Sequence, residues 1–152
     1  MKPASPTTLP SAHLSCAAAL SASAQRTHVL VVDDSAGVRH VIRHLLEDKG
    51  YAVTEAQDSQ AALRCMDGRP VQMIICDVQQ PQLKGIEFVK AVRERPAHRA
   101  VPTLVLTAES ARGVAELGLP EASRAWMPKP FAPSALLRTV DLLSGGPARA
   151  AA

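Results

Sequence analysis

Three short apolar runs each end in a side chain that can do chemistry. Val29-Leu30-Val31-Val32 leads into Asp33-Asp34, the run from Val71 to Cys76 into Asp77, and the run from Val101 to Leu106 into Thr107. A weaker fourth segment, Arg124 to Pro128, leads into Lys129-Pro130-Phe131. Buried parallel strands read as continuous apolar runs, and open α/β sheets place their sites at the carboxyl ends of strands. Three acids, a hydroxyl and an amine at four such ends point to one site. Carboxylates brought together repel one another, and a hard divalent cation relieves that repulsion. Mg2+ suits the set, because it takes oxygen ligands, keeps several waters and leaves positions for phosphate oxygens. Asp77 is then a nucleophile toward a phosphoryl group, giving an aspartyl phosphate, while Asp33 and Asp34 hold the metal. Phosphoryl transfer is mostly positioning and charge neutralisation. The Lys129 ammonium, and the Thr107 hydroxyl or nearby backbone N–H groups, take the oxygens that the metal does not.

The elements that must position these residues follow from the pattern between them. Ser35 suits a helix cap, and Val38, Val41, Ile42, Leu45 and Leu46 then form one helical face that Gly50 closes. Tyr51 to Ala56 reads as a strand and Ser59 to Asp67 as a helix with Ala62, Leu63 and Met66 inward, stopped by Gly68 and Pro70. The Asp77 strand follows, then a helix from Gly85 to Arg95 with Ile86, Val89 and Val92 inward, ended by Pro96. Next come the Thr107 strand, a weak helix around Ser110–Leu119, the short Trp126 strand and a last helix from Pro133 to Leu143. The result is βα repeated five times, which predicts an α/β fold: a doubly wound parallel sheet, flavodoxin-like, of strand order 2-1-3-4-5. In that order strands one and three are neighbours, so Asp33 and Asp34 meet Asp77. The fifth strand is an edge, where Pro128 is tolerated.

Composition narrows the class. At 152 residues the chain has room for one domain that needs no staple. Residues 1–26 carry no acid and are rich in Ala, Ser, Pro and Thr. They read as a disordered extension or a miscalled start rather than an export signal, since the stretch Leu14 to Ala24 is mostly alanine and serine behind three prolines. Residues 27–145 read as the domain, and 146–152 as a flexible tail. All 14 acids lie between Asp33 and Asp141, with 14 of the 17 bases in the same span, so the net charge of +3 belongs to the ends. That balance, with one Trp, one Tyr and two Phe, argues against a nucleic-acid surface. No run reaches the roughly 18 apolar residues of a membrane span. Cys16, Cys65 and Cys76 show no metal or redox spacing and read as small apolar residues in a reducing, cytoplasmic compartment. His40 and His44, four apart on one helix, lack the companion residues of a metal motif.

The motifs VLVVDDS at 29–35, IICDVQQP at 74–81, Gly85, VLTA at 105–108 and KPF at 129–131 resemble, in order and spacing, a response-regulator receiver domain, the phosphorylatable module of two-component signalling. Asp34, Asp77, Thr107 and Lys129 follow one another at 43, 30 and 22 residues, and the resemblance covers about residues 27 to 145. It implies Asp77 as phosphoacceptor and metal ligand, Asp33 and Asp34 as the acidic Mg2+ pair, and the Gln79 backbone carbonyl as a further metal ligand. It also implies Thr107 and Lys129 as phosphoryl-binding groups and a cis Lys129–Pro130 bond. Two loop positions depart from the family, Gln80 where methionine is frequent and Lys84 where an acid is common. Trp126 stands where the family has a Tyr or Phe that moves inward with the threonine, and an indole is harder to bury completely.

The resemblance implies a stand-alone signalling switch rather than an enzyme, catalysing only its own phosphorylation and dephosphorylation. A histidine kinase or phosphotransfer protein is the implied donor, and the surface of about residues 110–143 is the implied contact for an unknown target. Dimerisation on phosphorylation is left open. Two other classes compete. A receiver-like scaffold without phosphorylation would keep the fold but not need all the site residues. A metal-dependent α/β phosphohydrolase would need a second acid two residues past the nucleophile, where Asp77-Val78-Gln79 has none. No glycine-rich phosphate loop supports nucleotide binding.

Overall fold

The first apolar run forms strand β1, His28–Val32, an interior strand of a parallel sheet. This computed structural model describes residues 26–78, 85–108, 113 and 125–148. The chain continues through helix α1 (Ala36–Asp48), strand β2 (Ala52–Ala56), helix α2 (Ser59–Gly68), strand β3 (Met73–Asp77) and helix α3 (Gly85–Glu94). A 3-10 turn at Pro96–His98 precedes strand β4 (Thr103–Thr107), and strand β5 (Ala125–Pro128) and helix α4 (Pro133–Ser144) complete the described elements. The five strands are parallel in the order β2-β1-β3-β4-β5, the flavodoxin-like arrangement that the sequence predicts. The expected helix around Ser110–Leu119 lies outside the described residues except Gly113, as do residue 79 and residues 1–25.

Alternation along the buried strands feeds two cores. Leu30, Val32, Ile74, Cys76 and Val105 face α2 and α3, where Met66, Phe88 and Val92 meet them. Val29, Val31, Met73, Ile75, Leu104 and Leu106 face α1 and α4, where Ile42, Leu46, Leu136 and Val140 close the other layer. One expected inward position differs: Val41 on α1 is 52% exposed. Val38, Ile42 and Leu46 lie on one stripe, and at 100° per residue Val41 falls off its edge.

The loops are set by local chemistry. Ser35 caps α1, its Oγ accepting from Val38 N at 3.3 Å, and Asp58 caps α2 by accepting from Ala61 N at 2.7 Å. Gly145 ends α4 at a left-handed φ of 82°, where a side chain would be strained. At Gly85 space decides instead, since a Cβ would come within 2.4 Å of Val78 Cα and 2.5 Å of the Asp77 carbonyl. That glycine lets α3 start directly against the end of β3. Beyond α4 the chain packs back on its start: Thr27 donates from Oγ1 to Gly146 O at 2.7 Å and from N to Pro147 O at 2.9 Å, and Arg26 bridges Ala148.

Candidate functional site

Because β1 and β3 are neighbours, with Val32 opposite Cys76, the residues that follow them converge at the carboxyl edge of the sheet. Asp33 is 1% exposed and Asp77 5%, while Asp34 is exposed beside them. One oxygen from each of the three carboxylates lies within 4.8 Å of the others. β4 and β5 bring the other two groups. Thr107, fully buried at the end of β4, accepts Lys129 N at its carbonyl at 2.9 Å, which ties the segment after β5 to the site. The Lys129–Pro130 bond is cis. The Lys129 ammonium then donates to Asp33 Oδ2 at 2.7 Å and to Asp77 Oδ2 at 2.9 Å. Asp33, Asp34, Asp77, Thr107 and Lys129 are thus brought to one strand edge.

The electrostatics follow from that packing. Burial works against the Lys129 charge, but the hydrogen bonds to Asp33 and Asp77 outweigh it and hold the ammonium above its ordinary pKa. Among the described residues one ammonium answers the three carboxylates. The Cys76 thiol beside them is fully buried, and desolvation, reinforced by Asp77 and Asp33, pushes its pKa up, so it stays a protonated core side chain. The donor set fits a hard divalent cation: three carboxylates, no imidazole or thiolate among them, and a residual negative charge that Lys129 alone does not cancel.

Asp33 is anchored at several points. Its N donates to Ala56 O at 3.2 Å, and its Oδ1 accepts from Ser35 N at 2.9 Å. Its carbonyl accepts from Arg39 Nη1 at 2.6 Å. Arg39 lies outside the sequence-predicted set. Its signal is its place on the first turn of α1, from which a long side chain points back toward the helix N-terminus. Trp126 sits on β5 opposite Val105, half-buried and packed against the core that includes Val105 and Phe88. His28 bonds through its ring to Pro70 O at 3.0 Å and Thr54 Oγ1 at 2.6 Å.

The family model described as the response regulator receiver domain matches residues 29–141. An uncharacterized 14.6 kDa protein of Leptolyngbya boryana is 32% identical over 113 residues, covering 74% of this chain and 86% of that protein. The response regulator MprA of Mycolicibacterium vanbaalenii is 36% identical over 115 residues, 76% of this chain and 49% of its own length. The chain spans about half the length of this and the further curated relatives such as PetR of Rhodobacter capsulatus. Among solved structures, the chemotaxis response regulator CheY4 of Vibrio cholerae superposes with a TM-score of 0.70 at 37% identity, covering 77% of this chain and 98% of that one.

Proposed function

The chain belongs to the response regulator receiver family, and from that premise we propose that it is a phosphoacceptor switch whose phosphorylated residue is Asp77. It is a signalling module of two-component systems rather than an enzyme, and the family implies a cognate histidine kinase. In this reading a phosphohistidine, on the kinase or on a phosphotransfer protein, is the donor. An Asp77 carboxylate oxygen forms the new P–O bond as the P–N bond to the donor imidazole breaks. Asp33, Asp34 and Asp77, with the Gln79 carbonyl, would hold Mg2+, which supplies charge neutralisation for the phosphoryl oxygens. Lys129, already on Asp77 Oδ2, is placed to take a second oxygen, and the Thr107 hydroxyl a third.

The observation that carries the reading is the lysine bridge between two buried carboxylates at the ends of adjacent strands, with a third carboxylate within 4.8 Å. A structural ion pair has no need of the extra, uncompensated acid, whereas a phosphoryl-accepting site does.

The output we propose is a population shift of the surface at about residues 110–143, through Thr107 and Trp126, toward a partner protein. No helix among the described residues is long and apolar enough to cross a membrane. The test is intact mass after incubation with Mg2+ and a small phosphodonor. One phosphoryl adduct is expected in the wild type and none in Asp77→Asn; an adduct that persists in Asp77→Asn sinks the assignment. Trp126 is the only tryptophan, so its emission is expected to change with beryllofluoride and Mg2+ if it takes part in the switch.

A further inference from the structure

Of the three carboxylates, Asp34 is the least anchored. It is exposed, and its side chain makes no hydrogen bond to the described residues. Among the described residues nothing but the backbone holds its carboxylate near Asp33 and Asp77, so whatever fixes the backbone at Asp34 fixes that carboxylate. The peptide joining Asp33 to Asp34 is planar, and the direction of its carbonyl sets the direction in which Asp34 leaves. That carbonyl is gripped by Arg39 Nη1 at 2.6 Å. The other end of the guanidinium is braced in turn: Arg39 Nε faces Glu55 on β2 at 3.5 Å, with the two side chains 15% and 22% exposed. A guanidinium is a rigid planar fork, so a grip at both ends transmits orientation in a way that a flexible ammonium does not.

We propose that Arg39 is a positioning residue for the Mg2+ site: braced by Glu55, it holds the Asp33–Asp34 peptide in the orientation that keeps the Asp34 carboxylate beside Asp33 and Asp77. The inference rests on the reading of those three acids as the Mg2+ site. It makes a prediction of opposite sign to the simplest alternative. A positive charge near a cation site opposes cation binding, so removing Arg39 should tighten Mg2+ if the residue acts only as a charge. If it positions Asp34, removing it loosens Mg2+.

The experiment is calorimetric titration of Mg2+ into the full chain, with the metal-free melting temperature of each variant measured alongside. Arg39→Gln is expected to weaken Mg2+ about 10-fold, in the range found when a hydrogen-bonding partner of a metal ligand is removed. Arg39→Lys, which keeps the charge but not the fork, is expected between Arg39→Gln and the wild type. Arg43→Gln is the control. Arg43 pairs with the same Glu55 at 3.0 Å and with Glu47 at 2.9 Å, with no bond to the Asp33 loop, and its removal is expected to leave Mg2+ affinity unchanged.

Mg2+ binding in Arg39→Gln as tight as the wild type or tighter overturns the inference, and so does an equal loss in Arg43→Gln. If Arg39→Gln fails to fold, Arg39→Lys decides: weaker binding supports the proposal and wild-type binding overturns it. A wild type that takes up no Mg2+ overturns the site reading, and this inference with it.

Discussion

At the carboxyl end of the sheet, one ammonium, Lys129, stands between two buried carboxylates with a third exposed beside them. At the amino end, the buried Tyr51 hydroxyl donates to Asp141 and lies 3.2 Å from Ser144 Oγ, while Thr27 satisfies the carbonyls of Gly146 and Pro147. Both ends join segments far apart in the chain: 96 residues separate Lys129 from Asp33, and 90 separate Tyr51 from Asp141. They differ in what is left over. At the amino end these donors and acceptors are matched one to another, and the contacts pin α4 and the chain that follows to the starts of β1 and β2. The carboxyl end sets three carboxylates against one ammonium among the described residues. A surplus of that kind costs stability, and where a fold tolerates it the surplus marks the place that a ligand completes.

Removing Lys129 tests this most severely. Lys129→Met takes the bridging ammonium off the Asp33 and Asp77 carboxylates, and phosphorylation of Asp77 by a small donor is expected to slow by roughly 100-fold or more, the loss seen when a preorganised charge-stabilising group is deleted. The metal-free protein should lose about 2 kcal/mol in urea unfolding, less than for a fully buried pair because Lys129 is 24% exposed, and Mg2+ should recover much of it. A variant that loses stability yet phosphorylates normally would make Lys129 a structural ion pair and erase the contrast between the two ends.

Tyr51→Phe is the matching change at the other end. It deletes a hydrogen bond to a carboxylate, and since Asp141 is exposed and rehydrates, the expected cost is about 1–2 kcal/mol, the lower part of the range for charged partners. Phosphorylation and Mg2+ affinity should not move. The same bond has a pH signature. Burial first, and then the bond to Asp141, pushes the Tyr51 hydroxyl up to about 12 from 10.0. A folded pKa above the unfolded one means that the stabilisation is complete below pH 10 and drains away as pH rises toward about 12. Tyr51 is the only tyrosine, so phenolate absorbance follows it alone. Its midpoint is expected to fall in Asp141→Asn, and an ordinary midpoint in the folded wild type would show that the clasp is not closed in solution.

The contrast also explains what the sequence makes legible. Each site residue follows an apolar run, and the topology of a βα repeat brings such ends together, so Asp33, Asp34, Asp77, Thr107 and Lys129 are readable from the order of residues alone. Arg39 is not, because an arginine on a first helical turn looks like any solvated base until its guanidinium is seen on the Asp33 carbonyl. Tyr51 reads only as the start of a strand. Its partner lies on the last helix, and no spacing rule links a phenol to an aspartate 90 residues away. The 3-10 turn at Pro96–His98 escapes for a local reason: Pro96 predicts the end of α3, but no pattern shows that Arg93 Nη1 reaches five residues ahead to donate to His98 O at 3.0 Å. Val41 shows the limit of apolar patterning, since a valine at the rim of a helical stripe is equally at home in water and in the core.

The smallest effect separates the two ends by its sign. Asp34→Asn removes one of the three like charges without removing a hydrogen bond to the described residues, and it leaves the Lys129 bridge intact. At an end held together by complementary pairs a neutralised carboxylate costs stability, as Asp141→Asn should. At an end with surplus charge it relieves repulsion. Carboxylate oxygens within 4.8 Å of one another, one of them in water, repel by about 1 kcal/mol per pair before salt screening. The metal-free Asp34→Asn protein is therefore expected to unfold at slightly higher urea than the wild type, with the gain shrinking as ionic strength rises. Mg2+ should reverse the order, because the wild type then gains binding energy that the variant has lost. A variant less stable than the wild type without metal would mean that Asp34 has a structural partner, and that the carboxyl end is balanced after all.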